Sequence, residues 1–223
     1  MILTPIDPEN LPALLADFSQ RLSFDSMARA AFDLIAQTWE RRNHADTPEH
    51  RAAAVDLAHR HGIQTLDEDP AEAFSWDGVC IRTQSEASVI VHEVAHWLTC
   101  APERRSVYDF GLGAGPETGR REEADAARCV DDMTRQIEEC LCSLLGILWE
   151  AELEQPAILA FLEQNWLEAH HRAGAVAHFA DSVRALRQQG LIHDNGRPVW
   201  PKASKAQQPC EARLETRLIE KNA

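Results

Sequence analysis

His92, Glu93 and His96 form an H-E-x-x-H pentapeptide, and their types and spacing can do chemistry. On a helix, residues four apart leave the same face, so both imidazoles point the same way. Two neutral imidazoles so placed can grip one divalent metal, with Glu93 beside the metal rather than on it. A third ligand from elsewhere would complete the site and leave positions open for water, substrate or oxygen.

The motif sits in an apolar frame. Ala87-Ser88-Val89-Ile90-Val91 precedes it, and Val94, Ala95, Trp97 and Leu98 interleave with it. This predicts a largely buried helix from an N-cap at Ser85 to about Thr99, with Pro102 just beyond. Buried polar groups need partners, and a metal is one.

The metzincin continuation is excluded, because Thr99 and Pro102 stand where its glycine and third histidine belong. The third ligand must come from further on, and Asp109, Glu122, Glu123, Glu138 and Glu139 are the candidates. Glu122 and Glu123 lie in the charged run GRREEADAAR, which reads as a solvated face. Glu138 and Glu139 stand where a long helix turns apolar, and a carboxylate entering a core needs a cation or donors. Ile137, Leu141, Leu144, Leu145 and Leu148 place the flank of Glu138 near the core. Glu138 is therefore the expected ligand, with Glu139 the alternative.

The other elements follow from pattern. Leu11, Leu14, Leu15 and Phe18 share one helical face, and Met27, Ala31, Leu34 and Ile35 another. Thr47-Pro48 starts a third helix that Gly62 stops near His61. His44, His50, His59 and His61 cluster there and read as surface. The stretch from Gly62 to Trp76 reads as an acidic loop, and Trp76–Arg82 as a short strand bordering the metal helix. Residues 111–119, with four glycines and a proline, read as a flexible loop able to act as a lid. A helical pattern runs from about Thr118 to Leu153, and helices at 156–169 and 175–189 follow. The expected fold is mainly α with a small β-sheet edge, an α+β arrangement around the H-E-x-x-H helix. Its expected divisions are a helical segment at 1–62, a metal-site domain at 63–193 and a flexible tail at 194–223.

Composition bounds the function. The chain has 223 residues, 44% of them hydrophobic, which is enough for a sizeable core. A formal net charge of −14 argues against nucleic acid and anionic membranes; it would tolerate or attract a cationic substrate group, although most of the excess serves solubility. No apolar run approaches the roughly 20 residues a membrane span needs. The N-terminal MILTPIDPEN carries no basic segment followed by a long apolar one, so the expected compartment is the cytoplasm. The six cysteines, which form no C-x-x-C pair, are then expected to be reduced.

The stretch HEVAHWLTCAPERRSVYDFG resembles the bacterial elongation factor P hydroxylase family. The shared features are H-E-x-x-H-W, a paired arginine and a D-[FY]-G step, here His92, Glu93, His96, Trp97, Arg104, Arg105, Asp109, Phe110 and Gly111. The family draws its third ligand from a downstream glutamate motif, for which Ile137-Glu138 of RQIEECLC can stand. The resemblance implies a non-haem Fe(II) oxygenase that hydroxylates the β-lysylated lysine of elongation factor P. Glu93 would hold a metal-bound water or relay a proton. Trp97 would line the substrate channel, or simply fill core. Arg104 and Arg105 would dock the partner protein, or complement a helix end. Asp109 would hold a histidine N–H, or cap a turn. Two readings compete with this one. One is a zinc metallopeptidase with Glu93 as general base. The other is a non-catalytic binding module containing a metal.

Overall fold

The computed structural model describes residues 9–168 and 170–201. Among these are eight α-helices and one two-stranded sheet, the mainly helical fold expected. The chain divides into two compact units. One comprises the residues through Ala45 and Ser143–Val199, and the other Asp46–Cys142 with the segment from Trp200. This differs from the expected boundary after residue 62, because the third helix belongs with the metal helix. The part of the expected tail from residue 202 lies outside the described residues. No described helix is long and apolar enough to cross a membrane.

The first unit contains α1 (Leu11–Arg21) and α2 (Ser26–Ala36), the later part of α6 (Asp132–Glu152), α7 (Ala157–Glu163) and α8 (Ala173–Gln188). Its core is aromatic. Phe18 and Phe32 lie 4.8 Å apart, and Phe161 and Phe179 meet Phe32 edge-on at 5.7 and 5.9 Å. Asp25 caps α2 by accepting from the Ala28 amide. Gly196 is required by close approach, since a Cβ there would meet the Ala31 backbone at 2.6 Å.

The second unit holds α3 (Pro48–Arg60), β1 (Gln64–Leu66), β2 (Cys80–Arg82), α4 (Ala87–Thr99), α5 (Arg121–Ala126) and the first part of α6. Thr47 caps α3 as its sequence predicts, accepting from the His50 amide at 3.2 Å. Gly62 follows the helix at φ 75°. Among the clustered histidines, His44 and His59 are exposed, but His50 and His61 are half-buried. Helix α3 packs on α4; the buried residues are Ala54, Leu57 and Ala58 on one, and Ala87, Ile90, Val91, Val94 and Ala95 on the other.

Strands β1 and β2 pair in parallel, Gln64 with Cys80 and Leu66 with Arg82. The loop reading of 62–76 therefore missed a strand, because Gln-Thr-Leu is too short to show alternation. The expected strand at 76–82 begins only at Cys80. Asp77 Oδ1 accepts from the Val79 and Cys80 amides and bends the chain into a turn first. Cys80 also departs from the all-reduced expectation: it is disulfide-bonded, whereas Cys100, Cys129 and Cys142 are free thiols. The long helical pattern expected from Thr118 is broken between α5 and α6, where Asp131 Oδ1 accepts from the Thr134 amide and restarts the helix.

Candidate metal centre

Helix α4 starts and stops for local reasons. Its first amide, on Ala87, donates to Asp46 Oδ1 at 2.8 Å. Asp46 thus does what was expected of Ser85, whose hydroxyl is buried and has no partner among the described residues. At the other end Cys100 turns extended, and Arg105 Nε donates to the Trp97 carbonyl at 2.9 Å. That carbonyl is one of the last four a helix leaves unpaired. The Arg105 guanidinium lies 3.7 Å from the Trp97 ring centre. Arg105 and Trp97 therefore secure the helix end.

On the next turns of α4, His92 and His96 converge. Their Nε2 atoms lie 2.9 Å apart, with ring planes at 88°. The third member is Glu139, whose Oε2 is 3.7 Å from His92 Nε2 and 3.5 Å from His96 Nε2. These three residues form a group that could hold a metal ion. A point equidistant from the three atoms, the circumcentre of that triangle, lies about 2.0 Å from each, matching zinc–nitrogen and zinc–carboxylate distances. Both Nδ1 atoms are buried and have no hydrogen-bond partner among the described residues. A metal on each Nε2 would place the ring proton on Nδ1. By atom placement and donor set, the residues fit a divalent cation.

Glu138, the expected ligand, is not in the group. It is buried against Arg104, which donates from Nη2 to Glu138 Oε2 and from Nη1 to the Phe110 carbonyl at 2.8 Å. Successive helix residues point about 100° apart, so only one of two adjacent glutamates can face the histidines. The expectation failed because Ile137 was counted as core, whereas it is 54% exposed. The unused signal was Arg104 itself, a cation near a buried helix that needs a carboxylate. Arg104 is thus an internal ion-pair partner of Glu138. Glu122 and Glu123 are exposed on α5, as expected.

Asp109 is buried and organises the next loop. Its Oδ2 accepts from the Thr118 hydroxyl at 2.7 Å and the Gly115 amide at 3.2 Å, and its Oδ1 accepts from the Trp76 amide at 3.4 Å. It is therefore a turn organiser and holds no histidine N–H. Burial raises its pKa, against the pull of these bonds. Asp109, Phe110 and Gly111 are all left-handed, at φ 42°, 55° and 71°. A glycine adopts that conformation freely, but two non-glycine residues cost about 1–3 kcal/mol each. The following segment is no free lid: Leu112, Ala114 and Thr118 are buried, and the Ala114 amide donates to Asp125 Oδ1 at 2.8 Å.

Electrostatics set the protonation of the group. Burial, helped by His96, lowers the pKa of His92. Burial also pulls His96 down, but Cys142 and then Glu139 outweigh it and hold that pKa well above the ordinary value. Burial would raise Glu139, yet the facing imidazoles of His92 and His96 hold it well below the usual carboxylate range. Glu93 is half-buried and pushed up to about 8, by burial first and then by the nearby Asp109, Glu139 and Glu117 against the pull of His96. The surroundings are rich in carboxylates, and Arg104 is already paired. No protein-family model matches the chain, and neither does any curated protein or solved structure compared with it.

Proposed function

We propose that this protein is a metal-dependent oxygenase of the elongation factor P hydroxylase kind, using Fe(II) held by His92, His96 and Glu139. The observation that carries this is the convergence of two imidazoles and one carboxylate on a single point, with Glu93 alongside. Two histidines and a carboxylate leave iron positions open. When bound, the iron would supply oxygen activation. One oxygen atom enters a substrate C–H bond to give an alcohol. The other leaves as water, with two electrons and two protons drawn from an external reductant.

The chain's own groups define the rest. The charges of Asp109, Glu139 and Glu117 around Glu93 suit a long cationic side chain such as a β-lysylated lysine. Glu93 is placed to hold or pass a proton at its carboxylate. The partner is then a protein, elongation factor P, and a translation factor as substrate puts the reaction in the cytoplasm.

The zinc peptidase reading has less support. Such an enzyme would hold its peptide along an exposed strand edge. Here β2 is buried at all three positions, with β1 on one side and an antiparallel bridge from Trp76 to Ile81 on the other.

The test is intact mass. The protein is loaded anaerobically with Fe(II), occupancy is confirmed, and β-lysylated elongation factor P, a reductant and oxygen are added. A gain of one oxygen atom, lost in Glu93→Gln with iron retained, is the expected result. No gain with iron bound, together with peptide cleavage by the zinc-loaded protein, would replace this reading with the peptidase. Metal binding with no turnover of either kind, and no effect of Glu93→Gln, would leave a binding module.

A further inference from the structure

Metal-binding histidines are usually oriented by a hydrogen bond to the ring nitrogen that does not touch the metal. His96 has no oxygen or nitrogen acceptor for it among the described residues: its Nδ1 is buried and unpartnered, and the Cys142 thiol is the group that acts on the ring beside Glu139. A thiol is a weak hydrogen-bonding group, so the ring needs further support, because a buried imidazole free to flip would not aim Nε2 at Glu139.

The structure supplies a stack. The Phe110 ring lies against His96, with centroids 5.5 Å apart and planes 20° off parallel. Phe110 also stacks on Trp76, at 5.1 Å and 4°. Each layer is fixed independently of any metal. Trp76 Nε1 donates to the Arg105 carbonyl at 2.9 Å. The Trp76 carbonyl accepts from the Asp109 amide at 3.0 Å. The Phe110 carbonyl accepts from Arg104 at 2.8 Å, and the Phe110 amide donates to the Val107 carbonyl at 3.1 Å. The left-handed backbone at Asp109 and Phe110 is where strain is stored, and its result is to turn the Phe110 ring onto the histidine.

We propose that Phe110 is a positioning residue for His96. Held by its stack on Trp76, it pre-sets the His96 ring for metal and does the work that a strong hydrogen bond at Nδ1 would otherwise do. The inference rests on the metal reading of His92, His96 and Glu139. It concerns binding and does not depend on which reaction follows.

The test uses Co(II) as probe with the full chain, measuring its dissociation constant and its visible absorption spectrum. Phe110→Leu keeps the apolar bulk and removes the ring. The control is Phe74→Leu, which removes another buried ring of the same unit that stacks on Tyr108. Phe110→Leu is expected to bind Co(II) roughly tenfold more weakly, the lower end of losses seen when such support is removed, and with an altered spectrum. Phe74→Leu is expected to leave both unchanged. Equal weakening in the two variants, or an unchanged constant and spectrum in Phe110→Leu, would overturn the proposal. Should Phe110→Leu fail to fold, carbon-13 relaxation of the His96 ring in the metal-free wild-type protein decides. A ring as rigid as the backbone supports the proposal, and one as mobile as exposed His44 refutes it. If the wild-type protein binds no Co(II), the metal reading itself falls, an outcome distinct from failure of the positioning role.

Discussion

Glu138 and Glu139 are neighbours in sequence, yet removing each should break something different. The Glu138 and Arg104 side chains are only 10% and 12% exposed. Glu138→Ala leaves the guanidinium buried and short of its counter-charge, a loss of about 3–5 kcal/mol for a pair of this kind. Arg104 keeps its bond to the Phe110 carbonyl, so the lower end, about 3 kcal/mol, is expected. The Glu139 side chain is 40% exposed and faces the histidines at 3.5 and 3.7 Å. Its removal should cost the metal-free protein about 1 kcal/mol or less. Metal binding reverses the order. Four-ligand zinc sites are worth about 10–16 kcal/mol, so one ligand accounts for about 3 kcal/mol, a hundredfold or more in affinity. Urea unfolding of the metal-free variants and competition for Zn(II) against a chelator read both quantities. Glu138→Ala should be the less stable and Glu139→Ala the weaker binder. Loss of Zn(II) affinity in Glu138→Ala with its stability intact would refute the assignment of Glu139 as ligand.

Three further outcomes follow from the second unit. Burial lowers the His61 pKa to about 4 from an ordinary 6.5, so the folded state prefers the neutral ring. Stability from this source is complete above pH 6.5 and is lost as pH falls toward 4. After discounting for its half-exposure the loss is about 2 kcal/mol, and urea midpoints across that window should flatten in His61→Gln. Saturation with a metal at a hundred times its dissociation constant should add about 2.7 kcal/mol to unfolding, reversed by a chelator; no shift would mean that the metal also binds the unfolded chain or binds nowhere. Gly111→Ala would place a Cβ 2.4 Å from Cys129 Sγ at a φ of 71°. A loss of about 2–4 kcal/mol is expected, with only the steric part restored by adding Cys129→Ala.

The metal helix was legible because H-E-x-x-H sits in an apolar run, so period and chemistry agree. The helix pair at the N-terminus was legible for the same reason, although the expected second face omitted Phe32, which is fully buried. What escaped was what the chain brings together from a distance. Asp46 caps a helix 41 residues on, and nothing local to Ser85 or Glu86 announces it. β1 exists only because β2 lies beside it. The choice between Glu138 and Glu139 turned on rotation about the helix axis, which the misjudged Ile137 reversed. Phe110 carried no signal of its own, because its role depends on a backbone conformation that non-glycine residues seldom adopt.

The Arg104–Glu138 pair also has a bearing on how kin of this chain are to be recognised. By occupying one of two adjacent carboxylates, Arg104 sets the rotation of α6 and so delivers the other to the histidines. A chain that lost Arg104 would gain little by keeping Glu138, and one that kept Glu138 alone would bury a bare charge. The two positions should therefore change together, from an ion pair to an apolar pair, while Glu139 stays fixed. Relatives would then be better sought by an arginine twelve residues past the first histidine, joined to the first member of a Glu-Glu step, than by the H-E-x-x-H pentapeptide that unrelated metalloproteins share.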